Sequence, residues 1–308
     1  MRVGSLLALL ALLLFSVNVF VVRSASSYVS QQSGFLIAMG ANVVFGCLLF
    51  TVELVTRSTP ITFNPLAFGI FALAGIFASY LGRRGFFRSV ETLGPSRASA
   101  IQITNPVFAA VLAWLLLGDE LDAKTTALIA LVLMGLYLST RTSTSTHSSQ
   151  GKSSRRTVSF GVPLALVYPA ILAAAAYAGG NVLRAQAVDL WHEPILGGLV
   201  GALAATIAYA VLHVPLNQLH ALMPAGEDHA RGVFLWTLAG LLTISAQISV
   251  IAAMNYLPVA VVLVISSALP IVVVPVNLLL LGNVEELRRS TVLGSLLVFA
   301  GVAGILLR

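Results

Sequence analysis

The sequence is divided into long stretches that contain no Asp, Glu, Lys or Arg. Nine of them have 16 residues or more, namely 3–22, 24–52, 58–82, 98–118, 125–140, 157–183, 194–226, 232–284 and 290–307. A helix that crosses a bilayer needs about 20 predominantly apolar residues. The chain is 58% hydrophobic and only 9% charged, whereas soluble domains are roughly 25% charged. The pattern therefore predicts a polytopic helical membrane protein.

One stretch is long enough for two crossings. Residues 232–284 number 53, which is roughly 80 Å of helix at 1.5 Å per residue. The expected break is Asn255-Tyr256-Leu257-Pro258, because proline opens helices better than it continues them. The sequence therefore predicts ten helices. Residues 1–22 are expected to be a retained first helix, since their apolar core is longer than that of a usual signal peptide.

The two halves of the chain resemble each other. Residues 93–118 align with residues 257–282 at an offset of 164, which pairs Pro106 with Pro270. Further pairs lie at offsets of 163 to 166, namely Asn18 with Asn181, Gly75 with Gly240, Glu120 with Glu286 and Gly135 with Gly301. This nearly constant offset indicates an internal repeat.

A polar segment separates the two halves. Ten of the 17 residues in 141–157 are Ser or Thr, which is typical of a solvated linker. The predicted organisation is a first repeat at 1–140, this linker, and a second repeat at 158–308. Each repeat has five helices, and because five is odd, the second must enter the membrane upside down. Many transporters use such inverted repeats for alternating access around a midplane site.

The segment LGPSRASAIQITNPVFAAVLAWLLLGDEL (93–121) resembles the signature of the EamA family in the drug/metabolite transporter superfamily. The similar features are the Leu-Gly-Pro entry, Pro106 within the helix and Gly118-Asp119-Glu120 at its end. Residues 257–287 repeat the signature more weakly, and 16–23 resemble the first-helix pattern of the family. The resemblance implies an all-α integral membrane protein with ten transmembrane helices in two inverted five-helix repeats. It also implies a central cavity for small polar or amphipathic solutes, which are often exported.

Polar side chains within the apolar stretches are the candidate solute-binding residues, because such groups at membrane depth usually face a cavity or a partner. They are Asn18, Arg83, Gln102, Asn105, Asn181, Gln247, Ser266 and Ser267. Either Arg83 or Arg84 would bind an anionic group of the solute, since guanidinium recognises carboxylates in a planar, bidentate manner. The alternatives for Arg83 are snorkelling to the interface and an ion pair with Glu91. The Asn residues could instead stabilise the bundle through interhelical hydrogen bonds.

Spacing within the repeats adds three expectations. Gln102 and Asn105 are three residues apart and are expected on one face of the fourth helix. Pro106 and Pro270 are expected inside helices, as hinges or static kinks. At the starts of the fifth and tenth helices, acids would complement the helix dipole or, as a weaker alternative, couple transport to protons. These acids are Glu120 and Glu286, with Glu285 as an alternative to the latter.

Gly197 and Gly201 form a GxxxG pattern, which predicts close helix packing within the chain or in a homodimer. The sequence contains no P-loop and no GxSxG, and we expect no enzymatic activity, cofactor or metal site. The net charge of +6 is interpreted as a topology signal and a contact with lipid headgroups rather than with nucleic acid. The expected partners are a small-molecule solute and the bilayer, for a monomer or a homodimer.

With ten spans, both termini lie on one side of the membrane. That side has five Lys and Arg residues, namely Arg2, Arg57, Lys124, Arg184 and Arg308, and the other side has twelve. The positive-inside rule then places the termini outside, whereas the resemblance implies cytoplasmic termini.

The prediction is a multi-pass transporter of small metabolites in the plasma (inner) membrane. It would export amino-acid-like or other small polar or amphipathic solutes by alternating access, in a gradient-driven or facilitative manner. The first, third, fourth, sixth, eighth and ninth helices would line its cavity. The alternative is a non-transporting membrane subunit or sensor that binds a small ligand in the same cavity.

Overall fold

The computed structural model describes residues 2–93, 98, 101–119, 122–140, 164–213, 227–281 and 289–307, and within them it has helices and no strand. The helices before the linker are α1 (Arg2–Ala25), α2 (Gln31–Thr56), α3 (Pro65–Gly75), α4 (Arg83–Leu93), α5 (Asn105–Leu117) and α6 (Ala123–Thr140). Those after it are α7 (Leu164–Leu190), α8 (Pro194–His213), α9 (Glu227–Met254), α10 (Val259–Ser266), α11 (Pro270–Leu281) and α12 (Arg289–Leu306). Each of the ten predicted spans contains at least one of these helices.

Local sequence explains where several helices begin and end. The Asn64 side chain caps α3 by accepting a hydrogen bond of 3.1 Å from the backbone N–H of Ala67, and Pro65 follows in the first turn. Gly118 ends α5 with φ of 71°, a left-handed conformation that glycine adopts at little cost. The predicted break before Pro258 is confirmed, because α9 ends at Met254 and α10 begins directly after this proline.

The outer surface of the helices is apolar. Five described helical segments are long and apolar enough to cross a membrane, namely Arg2–Ala25, Ser33–Thr56, Pro65–Phe86, Pro194–Leu212 and Asp228–Met254. Large apolar side chains point outward, and Leu6 and Val55 are 66% and 81% exposed. Water disfavours apolar patches of this extent, whereas lipid accommodates them. The chain is therefore an integral membrane protein.

The contacts between helices recur when the two halves are exchanged. Helix α1 packs against α9, and its counterpart α7 packs against α3. Helix α2 contacts α8 and α9, and its counterpart α8 contacts α2 and α3. Helix α5 packs on α7 as α10 packs on α1, and the last helices of the two halves, α6 and α12, pack together. This correspondence agrees with the duplication seen in the sequence, while the inverted orientation of the second repeat stays a prediction.

Glycines allow the closest of these helix contacts. A Cβ atom on Gly75 in α3 would lie 2.1 Å from the carbonyl oxygen of Gly201 in α8. Gly240 in α9 is the repeat partner of Gly75. A Cβ atom on Gly240 would lie 2.6 Å from the carbonyl oxygen of Ala38 in α2. The close packing predicted for Gly197 and Gly201 is confirmed, and the helix they contact is α3 of the same chain.

Two of the predicted helices are interrupted rather than kinked. Helix α5 begins at Asn105 after a turn, and α11 begins at Pro270, with three residues between it and the end of α10. The prediction that Pro106 and Pro270 lie inside helices is therefore wrong. Both occupy a first turn, where the missing N–H of proline costs nothing. The turn also separates Gln102 from α5, so the prediction that Gln102 and Asn105 share a face of one helix is wrong as well.

Candidate functional site

Arg184 lies within α7 and is only 4% exposed. Its Nη1 donates to Asn181 Oδ1 at 3.1 Å, and its Nη2 donates to Ser79 Oγ at 3.1 Å and to Gln247 Oε1 at 3.2 Å. All four side chains are buried. We call them the polar cluster. It joins α7 and α9 of the second half to the third predicted span of the first half.

Close packing around Gly180 brings the polar cluster together. Ser79 belongs to a π-helical segment, Ile76–Gly82, that connects α3 to α4. A π-helix has a wider turn than an α-helix and often occurs at functional sites. A Cβ atom on Gly180 would lie 2.6 Å from the backbone nitrogen of Ala78. The absence of a side chain there lets α7 approach this segment and places Arg184 against Ser79.

The charge of Arg184 has no opposite charge beside it in the part of the chain that the structure describes. Its three hydrogen-bond acceptors are a hydroxyl and two amides, and the described ion pairs involve Arg57. Neutral acceptors orient a guanidinium, but they do not cancel its charge. A buried cation without a counterion is costly, which makes this arginine a candidate for function.

A second arginine lies near the cluster. Arg83 follows Ser79 by four residues in the same predicted span. It is half-buried, and its guanidinium lies 5.4 Å from the ring centroid of Phe35. Arg84 is exposed and donates to the Tyr80 hydroxyl at 3.2 Å. Of the two candidate arginines, Arg83 is thus the one that points inward. The alternative ion pair with Glu91 lies outside the side chains that the structure describes.

Asn18 joins the first helix to α9 at the positions equivalent to Asn181 and Ser79. Its Nδ2 donates to Thr243 Oγ1 at 3.1 Å, and its Oδ1 is buried with no hydrogen-bond partner in the described ranges. Thr243 corresponds to Ser79 at the offset of 164, as Asn18 corresponds to Asn181 at 163. The position that matches Arg184 is Val21, so only one of the two related contacts carries a charge.

The remaining candidates do not join the polar cluster. Asn105 is buried, and its Oδ1 has no partner among the described residues. The hydroxyls of Ser266 and Ser267 donate to the carbonyl of Leu263 in their own helix, at 3.3 and 2.5 Å. Gln102 is half-buried and makes no described hydrogen bond to the cluster. The roles of these residues in solute binding stay predictions.

Three acidic candidates cannot be placed. Glu120, Glu285 and Glu286 lie outside the described residues, as does the linker at 141–157. Among the described residues, no group of three or more His, Cys, Asp or Glu side chains is placed to hold a metal ion.

The charge pattern of the sequence assigns Arg184 to the membrane surface, and the structure corrects this prediction. The charge-free stretch ended at residue 183, although α7 continues to Leu190. Two signals could have revealed a buried site. Arg184 lies three residues after Asn181, hence on the same helix face, and apolar Ala187 and Val188 follow it. Without Arg184, the side with the termini has four Lys and Arg residues instead of five, and the direction of the charge bias is unchanged.

The first half of the chain matches a known protein family. Residues 2–141 match the EamA-like transporter family. The match covers the first of the two halves. Because EamA is a family of transporters, the match suggests a membrane transporter of the drug/metabolite transporter type.

Curated proteins and solved structures add to the description of this chain. A search of curated proteins finds none that matches its sequence. Among solved structures, a crystal structure of a protein matches 98% of this chain and 96% of its own, with a TM-score of 0.68 and 17% identity. At this identity the likeness concerns the fold alone, and it extends over both halves of the chain.

Proposed function

We propose that this protein is an EamA-type transporter and that it carries small polar metabolites across the plasma (inner) membrane by alternating access. The polar cluster carries the proposal, because it connects the two halves through side chains that are buried in apolar helices. Transporters built from inverted repeats bind their solute near the midplane, between the repeats. The direction that fits the family is export of amino-acid-like or similarly small amphipathic solutes, in a gradient-driven or facilitative manner.

Two observations support a pair of inverted five-helix repeats. The helix contacts recur when the halves are exchanged. The fourth and ninth predicted helices are also interrupted at the equivalent prolines, Pro106 and Pro270. Broken helices at matching positions of two repeats are a feature of transporter solute sites.

Contacts between the halves close both ends of the molecule. At one end, the ring of Phe63 lies 5.8 Å from that of Trp191, and Asn64 Nδ2 donates to the carbonyl of Leu190 at 3.2 Å. At the other end, the guanidinium of Arg231 lies 5.3 Å from the Tyr28 ring centroid. In alternating access, these two sets of contacts separate in turn while the solute stays between them.

Cross-linking either end is therefore expected to abolish transport. Cysteines would replace Phe63 and Trp191 in one variant and Tyr28 and Arg231 in another. The background is Cys47→Ser, which removes the single native cysteine. A short, reducible thiol cross-linker holds the two halves together, so solute counterflow into liposomes should stop and should return after reduction. The panel contains labelled amino acids, organic acids, nucleosides and cationic drugs.

A pair within one half is the matched control. The rings of Phe63 and Phe68 lie 5.6 Å apart, and both residues belong to the first half, so this cross-link should leave counterflow intact. Counterflow that continues with a cross-half pair linked would refute alternating access. Saturable solute binding without counterflow by the unlinked protein would instead favour the subunit or sensor function.

A further inference from the structure

The centre of the molecule carries more positive charge than its described surroundings balance. Arg184 and Arg83 contribute two guanidinium groups, and no described carboxylate lies within 4.0 Å of either. A glutamine or methionine at position 184 would avoid the cost of a buried cation. The presence of arginine at this depth therefore points to an anion that balances its charge for part of the working cycle.

The geometry of Arg184 leaves hydrogen-bonding capacity for such an anion. A guanidinium has five N–H donors, and three of them are used by Asn181, Ser79 and Gln247. Asn181 and Gln247 belong to the same half as Arg184, and they hold the guanidinium in place when the halves move. Ser79 belongs to the other half, so separation of the halves releases a further donor.

We propose that the transported solute carries an oxyanion group, a carboxylate or a phosphate, and that Arg184 selects it. The inference rests on the transport function proposed above. In the closed arrangement the Ser79 hydroxyl occupies one donor of Arg184. When one end opens, the oxyanion of the solute replaces this hydroxyl, and the positive charge of Arg83 adds to the attraction. Cationic solutes are repelled by the same pair of charges.

Solute counterflow with position 184 altered tests this assignment. The panel contains labelled acidic amino acids and dicarboxylates, phosphate esters, neutral amino acids, and organic cations of similar size. The wild-type protein should accumulate anionic solutes and exclude the cations. Arg184→Gln should reduce anion counterflow by at least about tenfold, the loss expected for one hydrogen bond to a charged group, and Arg184→Lys should retain an intermediate rate. Arg23→Gln removes an exposed arginine in the last turn of α1 and should behave like the wild type.

Melting of the purified protein in detergent gives a readout that does not depend on transport. A ligand that binds only the folded protein raises its melting temperature, so the anions that are carried should stabilise the wild type and not Arg184→Gln. Without solute, Arg184→Gln should melt at the same temperature as the wild type or higher, because an uncompensated buried charge has been removed. A purely structural arginine would instead lower the melting temperature on replacement.

The outcomes separate the inference from the function on which it rests. Stabilisation and transport by carboxylates alone, phosphate esters alone, or both identify the oxyanion and support the proposal. Transport of only neutral or cationic solutes would overturn it and leave the transport function standing, as would unchanged anion counterflow by Arg184→Gln. Anion-dependent stabilisation without any counterflow would support the site and refute the transport function.

Discussion

Replacing Gly75 with alanine is expected to destabilise the protein by about 3 kcal/mol, at the upper end of the cost of overpacking a well-packed core. The new Cβ atom would lie 2.1 Å from the carbonyl oxygen and 2.4 Å from the Cα atom of Gly201. Both are backbone atoms of a helix, so no side-chain rotation relieves the clash, and α3 and α8 must move apart. The measurement is thermal unfolding of the purified protein in detergent.

Two other glycines serve as controls for this prediction. No atom lies within 4 Å of the position a Cβ atom would take on Gly69, in the same helix, so Gly69→Ala should stabilise α3 by up to about 1 kcal/mol through helix propensity. Gly201→Ala should be milder than Gly75→Ala, because its Cβ atom would first meet Gly75 Cα at an ordinary 3.4 Å. Equal melting temperatures for Gly75→Ala and Gly69→Ala would show that the described contact between α3 and α8 is wrong.

Replacing Arg57 with alanine is expected to open the end of the molecule at which α2 terminates. Arg57 Nη1 donates to Glu193 Oε2 at 2.6 Å, and the Glu193 side chain is only 7% exposed. This hydrogen bond raises the pKa of Arg57, so its guanidinium stays charged across the working pH range. Without Arg57, the Glu193 carboxylate lacks its cation. Separation of the two halves lets water hydrate this carboxylate, so the separated arrangement becomes more favourable. A cysteine that replaces Trp191, beside Glu193, should then react at least about tenfold faster with a water-soluble thiol reagent. An open state that is populated at a few per cent can increase its population by about this factor.

The exchanged pair Arg57→Glu with Glu193→Arg is the control, since it restores opposite charges at the same place and should bring the labelling rate back toward that of the wild type. Thr59 accepts a hydrogen bond of 3.0 Å from Arg57 Nε, and Thr59→Ala should change the rate little. If Arg57→Ala leaves the labelling rate unchanged, the ion pair does not hold this end closed.

The helices could largely be predicted from the sequence because their determinants are local. The determinants lie within the local sequence. They are a charge-free stretch of sufficient length, an Asn-Pro start at Asn64 and a proline after Asn255. The sequence also identified Asn181 and Gln247 as candidates, because polar residues in apolar helices usually face inward, but their contact with one shared arginine was not predicted. The prediction failed where proline was assigned to helix interiors, because a first turn accommodates it better.

The centre of the candidate site could not be predicted, because contacts distant in the sequence determine it. Arg184 is bonded to residues 105 and 63 positions away, Ser79 and Gln247, and a count of charges along the chain assigns it to the surface. The π-helical segment that carries Ser79 likewise packs against a residue distant in the sequence, Gly180 in α7. The spacing of Asn181 and Arg184 indicates a shared helix face, but it does not identify the partners of Arg184 on other helices.

The difference between Val21 and Arg184 at matching positions has a kinetic consequence. Two identical inverted repeats would give inward-facing and outward-facing states of equal free energy, related by a twofold rotation. In the proposed alternating-access mechanism, a charge in only one repeat gives these states different electrostatic environments, so we expect unequal populations at rest. The empty protein would then open preferentially to one side, and the two directions of exchange would have different half-saturation concentrations even without an external driving force.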